Sequence, residues 1–547
     1  MLVTSVNADG IRSSAPQDFD VVVVGAGFAG LYALYRLRKM GLHAICYEAG
    51  DNVGGTWYWN KYPGARCDVP SLEYSFSFSD ELQQDWNWSE LFATQPEILR
   101  YINHVAERFD LRRSIVFENR VIAADFDDAT GRWTIRTDRG QVARAQYFIA
   151  ASGCLSAAKV PDIPSLERFK GAWYHSGQWP EDPVDFSGKR VGIVGTGSSG
   201  IQIIPEVASQ ARQVYVFQRT PNFSIPARNR SMSAIEQQDY KDNYPRYRLL
   251  ASNSPDGMVG VGYTPVNSAR EVSPQQRTTL YEERWAMGGV VAMLTAYTDL
   301  LVNRDSNQSL GDFVREKIRA TVADPEVAEQ LVPKDHYIGT KRLCQDTGYF
   351  DTYNRDNVTL VDVKRAPIQE ITEAGIRTSD GEYPLDIIVF ATGYDAVTGP
   401  LLNMNVRGTG GQRLADKWAG GPRVYLGLVT AGFPNMFIVT GAGSPSVKGN
   451  MVHSIEQHVN FISDCIAYMQ SRGLKRIDAN HDAEFKWCDH VREVADRTLF
   501  PLADSWYVGA NIPGKPRVFL PYVGGIPVYR ETCERVVAKG YEGFLME

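Results

Sequence analysis

The chain lacks the features that mark membrane, secreted and nucleic-acid-binding proteins. No apolar run reaches the roughly 18 residues that span a bilayer, and the opening residues 1–17 lack the basic and apolar regions of a signal peptide. The formal net charge is −7 and no long Lys/Arg run occurs. We therefore expect a cytoplasmic protein that acts on small molecules, with no nucleic acid, no membrane and no obligate protein partner.

The seven cysteines are too scattered to form a dithiol or a metal site. There is no CxxC pair and no Cys/His cluster at metal-ligand spacing. This pattern excludes a redox dithiol and predicts no metal site. We interpret the cysteines as buried, reduced thiols.

What the chain does contain is two copies of a strand, a glycine turn and a helix. In residues 18–50 a valine run precedes Gly25, Gly27 and Gly30, and a helix to about residue 40 leads to a second strand ending at Glu48. A second copy in residues 189–220 has its turn at GTGSSG. Two such units predict an α/β fold with two Rossmann-type dinucleotide-binding domains.

The order of these units predicts that the second domain is nested in the first. The similar runs YFIAASG and DIIVFATG each end on small residues, where the chain could pass between domains. Helix-start signals at Ser273-Pro274 and Asp324-Pro325 predict a helical insertion. The predicted segments are first domain 1–152 and 387–547, second domain 153–222 and 334–386, and insertion 223–333.

The residue that follows each unit's second strand indicates which dinucleotide it binds. Glu48 can accept both hydroxyls of an adenosine ribose and would repel a 2′-phosphate, so the first site suits FAD or NAD. Arg219 holds the equivalent place in the second unit, where a guanidinium can pair with a 2′-phosphate of NADP. With no dithiol present, oxygen is the obvious acceptor for electrons passed from NADPH to a flavin.

Several further motifs together resemble those of the Baeyer–Villiger monooxygenases, closest to the phenylacetone and steroid monooxygenase branch. The resemblance covers nearly the whole chain. The matching stretches are GGTWYWNKYPGARCD (54–68), FKGAWYHSGQWP (169–180), GTGSSG (195–200), GTKRLCQDTGYF (339–350), ATGYDA (391–396) and SWYVGANIPGKPR (505–517).

The resemblance implies a flavoprotein that uses FAD, NADPH and molecular oxygen to convert ketones to esters or lactones. In this family the oxidant is a C4a-peroxyflavin anion, which attacks the ketone and forms a tetrahedral peroxy intermediate. Arg342 matches the cation that keeps the peroxide deprotonated, and Asp68 matches the carboxylate that orients it. An arginine suits this role because it cannot act as the acid that quenches the peroxide.

The resemblance also implies a wider set of cofactor contacts. For FAD these are Gly25, Gly27, Gly30, Glu48, Thr56, Trp57, Trp59, Asp68, Tyr74, Val121 and Met451. For NADP they are Arg66, Thr196, Gly197, Ser198, Ser199, Gly200, Gln202, Arg219, Thr220, Lys341, Arg342 and Trp506. Trp506 matches a residue of a mobile loop, here near 500–517, that covers the nicotinamide.

The stretch FKGAWYHSGQWP matches every position of the family's FxGxxxHxxxWP pattern, and it lies between the two units. We therefore interpret it as a connection between the nucleotide sites, with its histidine as a hydrogen-bonding hinge and not an acid or base. The pattern positions are Phe169, Gly171, His175, Trp179 and Pro180.

Two alternatives compete with this interpretation. A flavin monooxygenase that oxidises nitrogen or sulfur would share the FxGxxxH part, but such enzymes generally lack the WP ending and the Asp68/Arg342 pair. A non-catalytic sensor could bind FAD and NADPH as conformational ligands, although it would not need Arg342.

Overall fold

The computed structural model describes residues 16–259 and 267–547. Of the opening stretch on which the expectation about a signal peptide rests, residues 1–15 lie outside this description. Within the described residues, no helix combines the length and the apolar character needed to cross a membrane.

The strands occur throughout the chain. They are β1 (Gln17–Val24), β2 (Ala44–Tyr47), β3 (Ile115–Val116), β4 (Val121–Asp127), β5 (Arg132–Thr137), β6 (Val142–Ala150), β7 (Ala172–His175), β8 (Arg190–Val194), β9 (Gln213–Gln218), β10 (Ser224–Pro226), β11 (Cys344–Asp346), β12 (Val358–Asp362), β13 (Ile368–Ile371), β14 (Gly375–Thr378), β15 (Gly381–Pro384), β16 (Ile387–Phe390), β17 (Val406–Arg407), β18 (Met436–Ile438), β19 (Ile477–Ala479) and β20 (Phe544–Met546).

The helices lie between and around these strands. They are α1 (Phe28–Lys39), α2 (Thr56–Trp59), α3 (Asp80–Asp85), α4 (Gln95–Arg108), α5 (Ser198–Ala208), α6 (Ala234–Ser252), α7 (Pro274–Met287), α8 (Val290–Leu294), α9 (Arg304–Thr321), α10 (Pro325–Leu331), α11 (Tyr349–Thr352), α12 (Gly399–Leu402), α13 (Leu414–Lys417), α14 (Met451–Ser471), α15 (His481–Asp496) and α16 (Ile526–Ala538).

Two sheets organise the molecule, and together they confirm the predicted α/β fold. The first has the strand order β17-β4-β5-β6-β1-β2-β3, with β18 also paired to β6. It mixes parallel pairs around β1 with the antiparallel pairs β4–β5 and β5–β6. The second has the order β12-β9-β8-β16-β7 and is parallel throughout.

The strands of the first sheet come from both ends of the chain, and those of the second come from between them. β1 to β6 precede the second sheet, whereas β17 and β18 follow β16. The first sheet is covered by α1 and α14, which are joined by the Tyr32 hydroxyl donating to Asn460 at 2.7 Å and by the ion pair of Arg36 and Asp464 at 2.7 Å. The exact domain limits stay a prediction.

The helix starts predicted between the strands of the second sheet are confirmed. Ser273 and Gln276 form a reciprocal capping box at the start of α7, and the Asp324 carboxylate accepts from two backbone amides at the start of α10. The longest of the inserted helices after α6 is α9 (Arg304–Thr321). α6 lies against the first part of the chain, where Arg248 donates to the Ser75 hydroxyl at 2.8 Å.

Candidate active site

The first glycine turn, between β1 and α1, is shaped by close backbone contacts. Gly25 has a φ of +101°, and a Cβ there would lie 2.7 Å from the carbonyl oxygen of Ala151. A Cβ on Gly30 would lie 1.8 Å from the carbonyl oxygen of Gly25. α1 begins after Gly27 without a side-chain cap, so its first N–H groups are available to a pyrophosphate.

Replacing Gly30 with alanine should therefore remove the first nucleotide site. The added methyl group cannot fit beside the Gly25 carbonyl, so the turn and the start of α1 must shift. We expect purified Gly30→Ala protein to contain less than about a tenth of the wild-type flavin, measured by absorbance per protein. Gly420→Ala is the control because a Cβ there meets nothing within 4 Å. Full flavin content in Gly30→Ala would contradict the prediction.

The second turn, between β8 and α5, repeats this geometry. Gly195 has a φ of +109°, and a Cβ there would lie 2.5 Å from the carbonyl oxygen of Ala391. A Cβ on Gly200 would lie 2.1 Å from the carbonyl oxygen of Gly195, whereas one on Gly197 meets nothing within 4 Å. α5 also lacks a side-chain cap. Both turns thus fit a dinucleotide.

Glu48 lies beside the first turn, directly after β2. Its carboxylate is buried and accepts from the backbone amides of Ala26 at 2.7 Å and Gly50 at 2.8 Å. Burial raises the pKa of Glu48, and these amide hydrogen bonds oppose that change. The carboxylate is therefore held in one orientation at the edge of the turn.

Two cations lie close to each other near the second turn, since Arg219 directly precedes Thr220, whose carbonyl accepts from Thr196. Arg219 is exposed after β9, and Lys341 is partly buried. Burial lowers the pKa of Lys341; Asp335 opposes this, and the nearby Arg219 lowers it further. Neither cation has a carboxylate within 4 Å among the described residues. A phosphate dianion would compensate both charges.

Some of the other predicted NADP residues lie at the second glycine turn, and others lie where α5 contacts the segment around Tyr62. The Thr196 hydroxyl donates to the Thr220 carbonyl at 3.1 Å, and Ser198 lies 3.3 Å from Cys344 Sγ. Burial raises the pKa of Tyr62 to about 12, and the Ser199 hydroxyl opposes this increase.

Gln202 and Arg66 lie where α5 packs on the segment before Asp68. Gln202 accepts from the Tyr62 hydroxyl at 2.9 Å and donates to the Arg66 carbonyl at 3.1 Å. The Arg66 guanidinium pairs with Glu90 and donates to the Phe92 carbonyl at 2.8 Å. Both side chains are thus occupied by protein contacts, and their contact with NADP stays a prediction.

Arg342 and Asp68 form an ion pair, although they are 274 residues apart in sequence. Arg342 Nη1 also donates to the Val447 carbonyl at 3.0 Å, and Gln345 Nε2 donates to the Asp68 carbonyl at 2.9 Å. The Asp68 carboxylate raises the pKa of Arg342 further above its ordinary value, against the effect of burial. The guanidinium is therefore charged at neutral pH.

The predicted aromatic FAD contacts cluster at α2. Trp57 Nε1 donates to the Tyr74 hydroxyl at 3.2 Å, and the two rings meet edge to face at 5.8 Å. Thr56 is exposed at the start of the same helix, and Trp59 packs on Tyr58 at 4.9 Å. These side chains lie in the segment that also carries Asp68.

The last two predicted FAD residues lie in different apolar clusters. Val121 is buried in the core around the first sheet. Met451, at the start of α14, packs in a separate cluster together with Trp506, Phe500 and Tyr507. Their backbone contacts with FAD stay predictions.

The loop that carries Trp506 is held against the segment that directly follows β16. Lys515 pairs with Asp395 at 2.5 Å, and Asn511 donates to the Tyr394 carbonyl at 2.7 Å. Tyr507 is buried beside Arg342, and burial raises its pKa while Arg342 lowers it. The loop is thus positioned next to the Arg342–Asp68 pair, and its mobility stays a prediction.

The FxGxxxHxxxWP stretch contacts both parts of the molecule. Phe169 and Trp179 are buried around the second sheet, and a Cβ on Gly171 would lie 2.4 Å from the Asp386 carbonyl. The Trp179 amide donates to the Trp59 carbonyl at 3.3 Å. Pro180 follows, and Lys61 pairs with the next residue, Glu181.

His175 ends β7 at the centre of this stretch and is buried. Its Nδ1 accepts from the Gly177 amide at 3.0 Å, which caps the short turn Ser176–Gln178. Burial lowers the pKa of His175, so the ring is neutral at physiological pH. This geometry favours the hinge interpretation over proton transfer.

His175→Ala should slow turnover about 10-fold by loosening the capped turn, while flavin content stays unchanged. His175→Asn, which keeps a hydrogen-bond acceptor near the Gly177 amide, should restore most of the rate. Because the histidine is already neutral, the pH profile of His175→Asn should keep the wild-type shape. Loss of one limb of that profile would indicate an acid or base instead.

Sequence reasoning missed three features of the site. The first is that the Ala151 carbonyl packs against Gly25 and the Ala391 carbonyl against Gly195. The similarity of the runs YFIAASG and DIIVFATG, which contain these alanines, could have indicated this. Tyr507, beside Arg342, was overlooked next to Trp506. Lys448 was overlooked too, although it is the only charged residue in the run GAGSPSVKGN.

A family model described as FMO-like, flavin-binding monooxygenase-like, matches residues 19–233. The chain is 42% identical to a Baeyer-Villiger monooxygenase of Pseudooceanicola batsensis, over 97% of this chain and 96% of the relative. It is also 40% identical to the phenazine N-monooxygenase PhzNO1 of Lysobacter antibioticus, over 96% of this chain and 97% of the relative.

Two solved structures are similar over nearly the full length. An oxidized steroid monooxygenase bound to NADP superposes with a TM-score of 0.92 at 50% identity, over 97% of this chain and 99% of the other. OTEMO in complex with FAD and NADP superposes with a TM-score of 0.93 at 40% identity, over 97% of this chain and all of the other.

Proposed function

This chain belongs to the Baeyer–Villiger monooxygenases, flavoproteins that use FAD and NADPH, and we propose that Arg342, oriented by Asp68, is its catalytic residue for converting ketones to esters or lactones. The enzyme takes a ketone and molecular oxygen as substrates. FAD, when bound, supplies the redox chemistry by which NADPH reduces oxygen. The remaining steps depend on the chain's own residues.

The observation that supports the proposal is the Arg342–Asp68 ion pair. It joins the segment after α2 to the segment before β11, close to where α5, which begins at the second glycine turn, contacts both segments. Asp68 and the Val447 carbonyl together occupy two of the guanidinium nitrogens. The cation is thereby held in one place, beside the buried side chain of Tyr507.

The positive charge of Arg342 can serve both stages of the oxygen transfer. At ~4 Å and an effective dielectric constant of ~20, one charge contributes about 4 kcal/mol, equivalent to roughly three pKa units for an acidic oxygen nearby. It would keep the attacking oxygen anionic and then stabilise the oxyanion formed at the ketone carbon. Asp68 reduces this effect but prevents the guanidinium from turning away.

A second candidate function is oxidation of a nitrogen atom. The 40% identity to a phenazine N-monooxygenase favours it. Nitrogen oxidation would not require a cation that keeps the attacking oxygen deprotonated. The Arg342–Asp68 pair therefore favours ketone oxidation.

The test is turnover by the purified holoenzyme with NADPH and ¹⁸O₂. We expect ketones to increase NADPH consumption and to yield esters or lactones that contain one ¹⁸O atom. Stimulation by aromatic amines alone, with N-oxide products, would support the second candidate. Binding of both nucleotides without turnover of any ketone or amine would contradict both and indicate a sensor.

We also propose that the enzyme acts in the cytoplasm without an obligate protein partner. All seven cysteines are free thiols, and six of them are buried. Unpaired cysteines are typical of a reducing compartment.

A further inference from the structure

Lys448 is a cation at the site for which the mechanism above has no use. It ends the short turn Ser446–Lys448, directly after Val447, whose carbonyl accepts from Arg342. Its Nζ lies 4.0 Å from the centre of the Phe500 ring and 5.0 Å from that of Tyr507. The lysine is thus partly buried in the apolar cluster beside the catalytic pair.

In the part of the chain that the structure describes, Lys448 has no ion-pair partner. Among the described residues, no carboxylate oxygen lies within 4 Å of Nζ, and the undescribed segment 260–266 contains no Asp or Glu in its sequence. Two more deeply buried lysines differ, because Lys417 pairs with Glu484 at 2.9 Å and Lys515 with Asp395 at 2.5 Å. Aromatic rings attract a cation but do not cancel its charge.

The charged groups around Lys448 leave the lysine without a directly paired counter-charge. Arg342 repels it, and Asp256 attracts it from beyond ion-pair distance while accepting hydrogen bonds from Ser254 and Met258. Burial, followed by this repulsion, lowers the pKa of Lys448 to about 7. Of these two cations, Arg342 is paired directly with Asp68, whereas Lys448 has no carboxylate within ion-pair distance among the described residues.

We propose that Lys448 is a specificity-determining residue that binds a carboxylate carried by the ketone substrate, so that the enzyme prefers oxo acids to neutral ketones. The apolar cluster would hold the carbon chain between the ketone carbonyl near Arg342 and the carboxylate at Lys448. A bound carboxylate would supply the missing counter-charge and stabilise the charged form of the lysine. This inference rests on the proposed ketone oxidation.

The test uses methyl-ketone carboxylates of increasing chain length together with their methyl esters, which differ only in charge. The measured quantity is kcat/KM for the acid divided by kcat/KM for the ester at pH 6.5. We expect the wild-type holoenzyme to favour the acid at one chain length, and Lys448→Met to lower that ratio about 10-fold or more. Lys448→Arg should keep the preference.

Lys539→Met is the matched control, because Lys539 is an exposed lysine that pairs only with Glu542. Its ratio should equal that of the wild type. An equal loss on acid and ester in Lys448→Met would overturn the inference, as would a wild-type preference for the ester at every length. Failure to oxidise any of the acids, esters or neutral ketones would instead contradict the proposed function.

The pH dependence provides a second readout. The groups that act on Lys448 are Arg342, Asp256 and the rings of Phe500 and Tyr507, and Lys448 is the cation that titrates near neutrality. The acid substrates stay ionised, so the acid-to-ester ratio of the wild type should fall as the pH rises through about 7 and the lysine loses its proton. In Lys448→Arg the ratio should stay constant, and a parallel fall there would contradict the role of Lys448.

Discussion

Arg342→Ala is expected to lower the rate of ester formation about 1,000-fold while NADPH is still oxidised. The variant loses a charge contribution of about 4 kcal/mol, which corresponds to roughly a thousandfold change in rate. Oxygen reduction does not need that charge, so the oxygen should leave as hydrogen peroxide. The measurement pairs ester yield with peroxide yield per NADPH consumed.

Two further variants separate charge from structure. Arg342→Lys keeps a positive charge but not the fork that contacts Asp68 and the Val447 carbonyl together, so we expect an intermediate ester yield. Asp68→Asn keeps the arginine but releases its orientation, and its ester yield should fall less than in Arg342→Ala. Flavin absorbance checks that each variant still binds FAD. A wild-type ester yield in Arg342→Ala would remove this residue from the mechanism.

Arg219→Ala is expected to raise the KM for NADPH about 30-fold or more and to change the KM for NADH less than about 3-fold. The two nucleotides differ by a 2′-phosphate, and a charge-assisted contact with it contributes about 2 kcal/mol. Lys341→Ala should show the same selective loss. The Lys341 ammonium group lies close enough to Arg219 for the guanidinium charge to lower the pKa of Lys341, so both cations can contact one phosphate. The measurement is kcat/KM with each nucleotide at constant ionic strength.

Arg212→Ala is the matched control for this pair of variants. Arg212 is also an exposed arginine, but it precedes β9, whereas Arg219 follows that strand. It should leave the KM of both nucleotides unchanged. If Arg219→Ala weakened NADPH and NADH equally, the residue would act on the fold of the site and not on the phosphate.

Much of the fold was predictable because local signals are strong in α/β units. The valine run of β1, the glycine turn and the stop at Gly41 define one strand–helix unit within about 25 residues, and the structure has α1 ending at Lys39. Capping residues likewise located the starts of α7 and α10. The mixed pairing of the first sheet was not predictable, because the direction of β4 and β5 depends on distant partners.

The candidate site was only partly accessible from the sequence. Arg342 and Asp68 were identified by family resemblance, since nothing local indicates that residues 274 positions apart should pair. Gln202 and Arg66 were assigned to NADP, yet their side chains contact Tyr62 and Glu90. Such contacts depend on how α5 packs on another part of the chain, which periodicity does not encode.

The sequence by itself determined the two dinucleotide units. The glycine spacing and the residue after the second strand both belong to one continuous βαβ segment, so no distant part of the chain is needed to identify them. It also determined the family, through motifs spread over the whole chain. Only the tertiary structure decided that the capped turn of His175 contacts both parts of the molecule, and that Lys448 lies beside the catalytic pair with no carboxylate within 4 Å among the described residues. The physical reason is that burial and charge balance are sums over residues far apart in sequence, and folding alone brings those residues together.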